Sequence, residues 1–497
     1  MFKHLSCLKC IASLLSSLTL LAASASAEVP SAAPQAQATP SGGTSAQSAD
    51  QRITDLSREV EDLKNLVHQL QAQISKEPAV PVTGATVSSG QTPAADATVP
   101  PAPAPPAVGA SGSAAVAPPK VAADLLRGMT INAMLDGYYE YNTNAPIGRV
   151  NNLRAYDVSS NSFSLNQADL VVESAADPAA DKRIGMRIDL QYGQATSTLQ
   201  GNPANELRPD VYRDVFQAYG TYVFPVGKGL TMDFGKWASS LGIEGNYTKD
   251  QLNYSRSYWF NYLPFYHTGF RAKYVVNDEL AINAWITNGT QQTEAFNNYK
   301  DQLLGFVLTP TPAVTWTFNY YQGQEHPDVI YLQTPGPGQQ NLPNQQGTYI
   351  LPIANPPDGK LQITDSYVSW QASKAITLAA EADYVQERLY SYSTPQHVTG
   401  GALYGGYQLT PTVALAARVE YLADDGGLFS GTTQYLKEGT LTLDYRPVDG
   451  FLVRVEFRRD QSNQHYFLGS TLGVLETSQP TIGLGLVWWI GQKEGAW

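Results

Sequence analysis

Between Ala238 and Tyr266 the sequence sets Glu244, Lys249, Asp250 and Arg256 among Tyr247, Tyr254, Tyr258, Trp259, Phe260, Tyr262, Phe265 and Tyr266. Charges of both signs interleaved with aromatics can sort small polar solutes by size and charge when they line a narrow passage. They do not make a nucleophile with its base. The histidines beyond the first fifty residues, His68, His267, His326, His397 and His465, stand singly, none at metal-ligand spacing from another His or Cys. No phosphate-cradling glycine loop precedes a helix, since Gly483 and Gly485 fall in a strand. The chain is therefore expected to be no enzyme and to hold no cofactor and no metal.

A connector this long and this aromatic cannot be plain solvated coil, so its rings must pack on something. Two placements suit it, insertion into a water-filled lumen or a packed cap or subunit contact over a rim. The flanking sequence shows which elements must position it. Val314, Trp316, Phe318 and Tyr320 alternate with Thr315, Thr317 and Asn319, and Phe451, Val453, Val455 and Phe457 alternate with Arg454, Glu456 and Arg458. Such period-2 segments carry one apolar and one polar face. Sixteen are expected, near 129–141, 162–175, 183–193, 212–224, 230–237, 267–276, 279–287, 302–309, 313–322, 361–371, 375–387, 398–409, 412–422, 437–446, 450–459 and 479–490. Connectors after even strands are brief, such as Asn277-Asp278 and Thr410-Pro411, whereas those after odd strands are mostly long, the longest running from Gly323 to Lys360. This alternation predicts an all-β fold, a transmembrane antiparallel β-barrel of about 16 strands with its short turns periplasmic. Outer-membrane lipid is then the partner of the apolar faces.

The polar faces carry Arg187, Arg271, Lys273, Arg418, Arg454 and Arg458 with Asp189, Glu381, Asp383, Glu420 and Glu456, so an interior of mixed charge is expected. Candidate pore-lining or constriction residues are Glu244, Lys249, Asp250, Tyr254, Arg256, Tyr258, Arg271, Lys273, Arg418, Arg454, Glu456 and Arg458. The alternative for the arginines is a salt-bridged scaffold holding the connector to the wall, and both roles can coexist.

The first residues read as a signal peptide, 1–27. Lys3 and Lys9 precede an apolar run from Ile11 to Ala23 and the small-residue site Ala25-Ser26-Ala27. Both cysteines, Cys7 and Cys10, lie inside it, which leaves the mature chain without thiols. Residues 28–50 are expected to be disordered. In 51–76 a short heptad repeat places Ile53, Val60, Val67 and Ile74 at one core position and Leu56, Leu63 and Leu70 at the other, a periplasmic coiled-coil helix that implies a homo-oligomer. A trimer is favoured over a dimer, chiefly because of the barrel reading. Residues 77–124 form a disordered Pro/Ala-rich linker, and the barrel occupies 125–497. The net charge of −12 argues against nucleic acid as a partner.

Phe234-Gly235-Lys236-Trp237, Gly242, Glu244, Asn253-Tyr254-Ser255-Arg256-Ser257 and Pro264-Phe265-Tyr266-His267-Thr268-Gly269-Phe270-Arg271 together resemble the signature of the OmpL-like β-barrel porin family of Gram-negative outer membranes. The resemblance covers about forty residues and implies an outer-membrane channel for small solutes. Arg256 and Arg271 are its arginines. The N-terminal coiled coil resembles periplasmic extensions of some trimeric porins. Gly483, Leu486 and Trp488 are spaced like the C-terminal signal read by the barrel-assembly machinery, although Gly491 to Glu494 separate that strand from Trp497. The expected function is a porin, a water-filled channel for passive diffusion of small hydrophilic solutes. The alternative is a structural barrel that tethers the envelope, its coiled coil contacting the cell wall.

Overall fold

The computed structural model describes residues 128–200, 206, 209–332, 341–342, 345–493 and 495–497. The signal peptide, the coiled-coil positions Ile53 to Ile74 and the Pro/Ala-rich linker lie outside the described residues. Sixteen antiparallel strands close into one barrel. They are β1 (Thr130–Asn142), β2 (Ser162–Ser174), β3 (Ile184–Tyr192), β4 (Val215–Phe224), β5 (Leu230–Ala238), β6 (Tyr266–Val275), β7 (Leu280–Thr287), β8 (Asp301–Thr311), β9 (Val314–Gly323), β10 (Leu361–Gln371), β11 (Ile376–Glu387), β12 (Gln396–Thr410), β13 (Val413–Asp425), β14 (Gln434–Val448), β15 (Phe451–Ser462) and β16 (Ser478–Gly491). Closure is made by β1 and β16, paired from Asn132↔Gly491 to Asn142↔Thr481. Closure leaves the barrel no open edge to template aggregation, as a sheet in lipid requires.

The period-2 pattern sorts the side chains. On β15, Val455 and Phe457 are exposed outside while Arg454, Glu456, Arg458 and Asp460 are buried inside, and on β16 Ile490 is 76% exposed while Thr481 is 1%. The outer surface is ringed by exposed apolar groups such as Leu135, Phe234, Ile286, Leu304, Leu403 and Leu441. Apolar cover on that scale would be insoluble in water, and it suits a bilayer. Exposed aromatics gather toward both ends of the strands. Tyr141, Tyr192, Tyr320 and Tyr435 lie at the long-connector rim, and Tyr222, Tyr274, Tyr445 and Trp488 at the short-turn rim, the two girdles of a membrane barrel. Among the described residues no helix is long and apolar enough to cross a membrane.

Most strand ends match the sequence expectation within a few residues, with β14 and β15 extending beyond 437–446 and 450–459. Two small sheets were not anticipated. One lies within 324–360, where Val329–Leu332 and Asn341–Leu342 pair with Gln345–Pro352, and the other joins Phe467–Leu468 to Leu475–Glu476. These short segments alternate too briefly to stand out from the Pro- and Gly-rich sequence around them.

Candidate functional site in the barrel lumen

The β5–β6 connector, residues 239–265, enters the lumen and is bonded to wall strands β1 to β3, β9 to β11 and β13 to β15. Its local folding is dictated by its own residues. Ser257 caps a short helix, Tyr258–Tyr262, by accepting the Phe260 amide hydrogen. Arg256, fully buried, donates to the carbonyls of Gly245 (3.1 Å), Asn246 (3.0 Å) and Tyr254 (2.7 Å), which folds the two arms of the connector onto each other.

The wall then grips this hairpin by sign. Carboxylates accept its backbone amides, and guanidiniums donate to its carbonyls. Glu420 of β13 accepts Tyr258 N (2.9 Å) and Trp259 N (3.1 Å) at the start of the helix, where the helix dipole favours negative charge. Glu456 of β15 accepts Tyr254 N (2.6 Å) and Ser255 N (2.9 Å). Asp365 of β10 takes Gly242 N and Glu381 of β11 takes Ile243 N, each at 3.0 Å. Arg418 of β13 reaches the Ser255 carbonyl at 2.8 Å, Arg458 of β15 the Arg256 carbonyl at 2.5 Å, and Arg454 of β15 the carbonyls of Thr248 (2.7 Å) and Asn253 (3.2 Å). Charge-assisted bonds of this kind are roughly twice as strong as neutral ones. The arginines are also ion-paired: Arg418 with Glu244 (2.8 Å) and Glu438 (3.2 Å), Arg454 with Asp444 (2.9 Å), and Arg458 with Asp460 (2.8 Å).

Aromatic packing completes the seat. Tyr254 lies across Gly485 of β16, so closely that a Cβ there would sit 2.3 Å from its ring, and its hydroxyl donates to Asp136 of β1 at 2.9 Å. Tyr258 donates to Asp460 at 2.8 Å. Toward the long-connector rim Phe429 stacks near Tyr258 and Tyr262, and Leu153, Tyr466 and Phe467 join the same apolar cluster. Arg154 bridges from residues 143–161 to Asp460 (2.7 Å) and Asp157. Burial alone would raise the Asp157 carboxyl, but Arg154 and Arg458 outweigh it and hold it below its ordinary range.

Lys249 and Asp250 sit at the far tip of the connector, 2.7 Å apart. Burial draws the Lys249 ammonium below its usual range, with Asp250 opposing the shift. Trp497 meets them there. β16 ends at Gly491, and the chain beyond it turns inward, so that the Trp497 ring lies 5.8 Å from Tyr247 and 4.5 Å from the Lys249 ammonium while its amide donates to Asp250 at 3.1 Å. An open pocket of about 360 Å³ adjoins this tip, lined by Gln251, Leu252, Thr377, Gly406, Arg446 and Arg454 among others.

Two candidate residues stand apart. Arg271 of β6 pairs with Asp233 of β5 at 2.6 Å and lies over the Tyr219 ring at 4.9 Å, with its side chain 26% exposed. Lys273, two residues on, is exposed. A second pocket, about 370 Å³, opens beside this wall between Glu173, Arg187, Tyr219, Thr231 and Asp233. The structure therefore gathers Glu244, Lys249, Asp250, Tyr254, Arg256, Tyr258, Arg418, Arg454, Glu456 and Arg458 into one packed body and leaves Arg271 and Lys273 on a separate, open face. Anchors that sequence reasoning did not name as site residues are Asp136, Asp365, Glu381, Glu420 and Asp460. Their inward parity was readable, but not which inward positions the connector would reach.

Solved barrels similar to this chain include OmpT of Vibrio cholerae in a trimer form (9% identity, TM-score 0.45, covering 73% of this chain and 99% of that one). An anion-selective porin from Comamonas acidovorans is similar at 8% identity and TM-score 0.46, with coverage of 73% and 99%. Salmonella typhi OmpF in complex with daunomycin follows at 10% identity and TM-score 0.40, with coverage of 73% and 97%. No curated protein matches the chain. The profile of the family described as "Putative beta-barrel porin-2, OmpL-like" matches residues 128–488, from ahead of β1 to within β16. With nearly all of its barrel spanned by that profile and its strands closed into sixteen staves, the chain belongs to the OmpL-like β-barrel porin family.

Proposed function

We propose that the protein is an outer-membrane porin that passes small hydrophilic solutes by passive diffusion and has no enzymatic activity. The observation that carries this reading is the β5–β6 connector held across a polar, charged lumen by backbone-directed bonds from the wall, which puts a fixed narrowing inside a membrane barrel. Membership of a porin family supports it. The connector sets the size limit, and Arg271 and Lys273 on the open β6 wall bias which charge passes. Oligomerisation through the heptad at Ile53 to Ile74, as a trimer, and a periplasmic position for the N-terminal region belong to the same reading. So does recognition of β16 by the barrel-assembly machinery. Purified protein in planar bilayers is expected to give stepwise conductance increments. A preparation shown to be folded yet electrically silent would contradict the proposal.

One observation favours the tethering alternative. The side chains around Tyr258, Trp259 and Phe429 pack the lumen densely toward the long-connector rim, as in a plug. Deleting Gln51 to Lys120 separates the two. The porin reading expects solute uptake to fall with the envelope intact, and the tether expects loss of envelope integrity with uptake unchanged.

A further inference from the structure

Asp365 of β10 and Asp383 of β11 are directly opposed on neighbouring strands, with Glu381 beside them on the same inward face. One carboxylate oxygen from each lies within 4.8 Å of the corresponding oxygen of the other two, and all three side chains are buried. Like charges opposed across strands repel, and burial in a low-dielectric interior sharpens the cost. Asp365 and Glu381 have some relief. Asp365 accepts Gly242 N and the Asn319 amide (2.8 Å), and Glu381 accepts Ile243 N and the Tyr404 hydroxyl (3.0 Å). Asp383 has none. It is 4% exposed, and neither of its carboxylate oxygens accepts from any donor outside the cluster, within which the Asp365 carboxyl is its hydrogen-bonding neighbour.

Nor is there a protein cation to balance the three. The nearby lumen arginines are committed elsewhere, Arg418 to Glu244 and Glu438, Arg454 to Asp444, and Arg458 to Asp460. Among the described residues no lysine, arginine or histidine forms an ion pair with Asp365, Glu381 or Asp383. An unpartnered buried carboxylate aimed at two others is the donor set of a hard, oxygen-seeking cation. We propose that Asp365, Glu381 and Asp383 bind one divalent cation, calcium in preference to magnesium. Calcium accepts crowded carboxylates in irregular geometry, whereas magnesium holds to an octahedron and keeps several of its waters, for which a buried site leaves little room. The carboxylates on which the cation sits also accept Gly242 N and Ile243 N. Metal binding therefore fixes the point where the connector leaves the rim and enters the lumen.

The test is a binding measurement and does not depend on whether the barrel conducts. Full-length mature protein, refolded in detergent from inclusion bodies so that no lipopolysaccharide contributes ions, is freed of metal with a chelator and titrated with calcium chloride or magnesium chloride. One calcium per chain, bound more tightly than magnesium and raising the unfolding temperature, is expected. Asp383→Asn should weaken calcium by at least about tenfold while heat-modifiable gel mobility still reports a closed barrel, and Glu381→Gln serves if that variant does not fold. Folded wild-type protein that binds no calcium would overturn the site. So would a folded variant that binds as tightly as wild type, the result expected if these carboxyls are instead kept neutral by protons.

Discussion

The two halves of the barrel wall use the same alternating strand pattern to opposite ends. Between β10 and β1 several inward charges, Glu420, Glu456, Arg418 and Arg458 among them, are buried and directed at the backbone of the β5–β6 connector. On β6 the inward Arg271 and Lys273 keep contact with solvent. The first group of charges serves architecture, as do the buried Arg187 and Asp189 of β3 against Tyr247, whereas Arg271 and Lys273 stay open to water. Burial, not residue type, separates the roles, because a guanidinium in a dry lumen must be satisfied by fixed partners, whereas one facing water can exchange them.

Breaking the buried half should have the largest effect. Arg418→Met leaves Glu244 buried without its cation and Glu438 with only the longer contact to Arg458 (3.6 Å), a loss of about 3–5 kcal/mol. The expected result is a connector released from the wall, seen as a lower unfolding temperature and as protease cleavage within 239–265 that wild type resists. Gly485→Ala is next. Its new methyl would collide with the Tyr254 ring, and overpacking of this kind costs about 1–3 kcal/mol. The Tyr254 hydroxyl bond to Asp136 should be strained in step, so the double variant with Tyr254→Ala should recover part of the loss in thermal unfolding.

Acid should act on the same half more gently. The folded Asp157 carboxyl is held below its ordinary value, so its contribution is present above the unfolded value of about 3.9 and is lost as pH falls through the lower folded value. Below about pH 4 the 143–161 connector should loosen first, as read by hydrogen exchange. The open half sharpens the contrast with the smallest stability change. Lys273→Glu should alter unfolding by no more than about 0.5 kcal/mol, yet shift the reversal potential in a salt gradient toward cations.

Much of this division could be anticipated. Strand count, turn sides and inward parity follow from period-2 alternation, which is why Arg454, Glu456 and Arg458 were readable as interior. The aromatic density from Tyr247 to Tyr266 announced a packed connector. What could not be read was pairing across the lumen. Glu420 meets Tyr258 N over a separation of 162 residues, and nothing local in β13 marks that position apart from its inward neighbours. Asp365 and Asp383 became neighbours only when the β10–β11 register was known. Trp497 is similar. Its distance from the closing strand was visible, but its contact with Tyr247 and Lys249 depends on the chain turning inward after Gly491.

The β5–β6 connector is seated inside the barrel against the β10–β16 wall. The expected absence of cysteine from the mature chain allows a direct test in intact outer membranes. Leu252 lies against Gly406 of β12, where an added Cβ would be 3.0 Å from its side chain. The pair Leu252→Cys with Gly406→Cys should be joined by a short thiol-to-thiol crosslinker in nearly every folded barrel, visible as a mobility shift on denaturing gels and absent from either single variant. Two cysteines that each react with a thiol reagent but do not crosslink in a folded barrel would contradict the account.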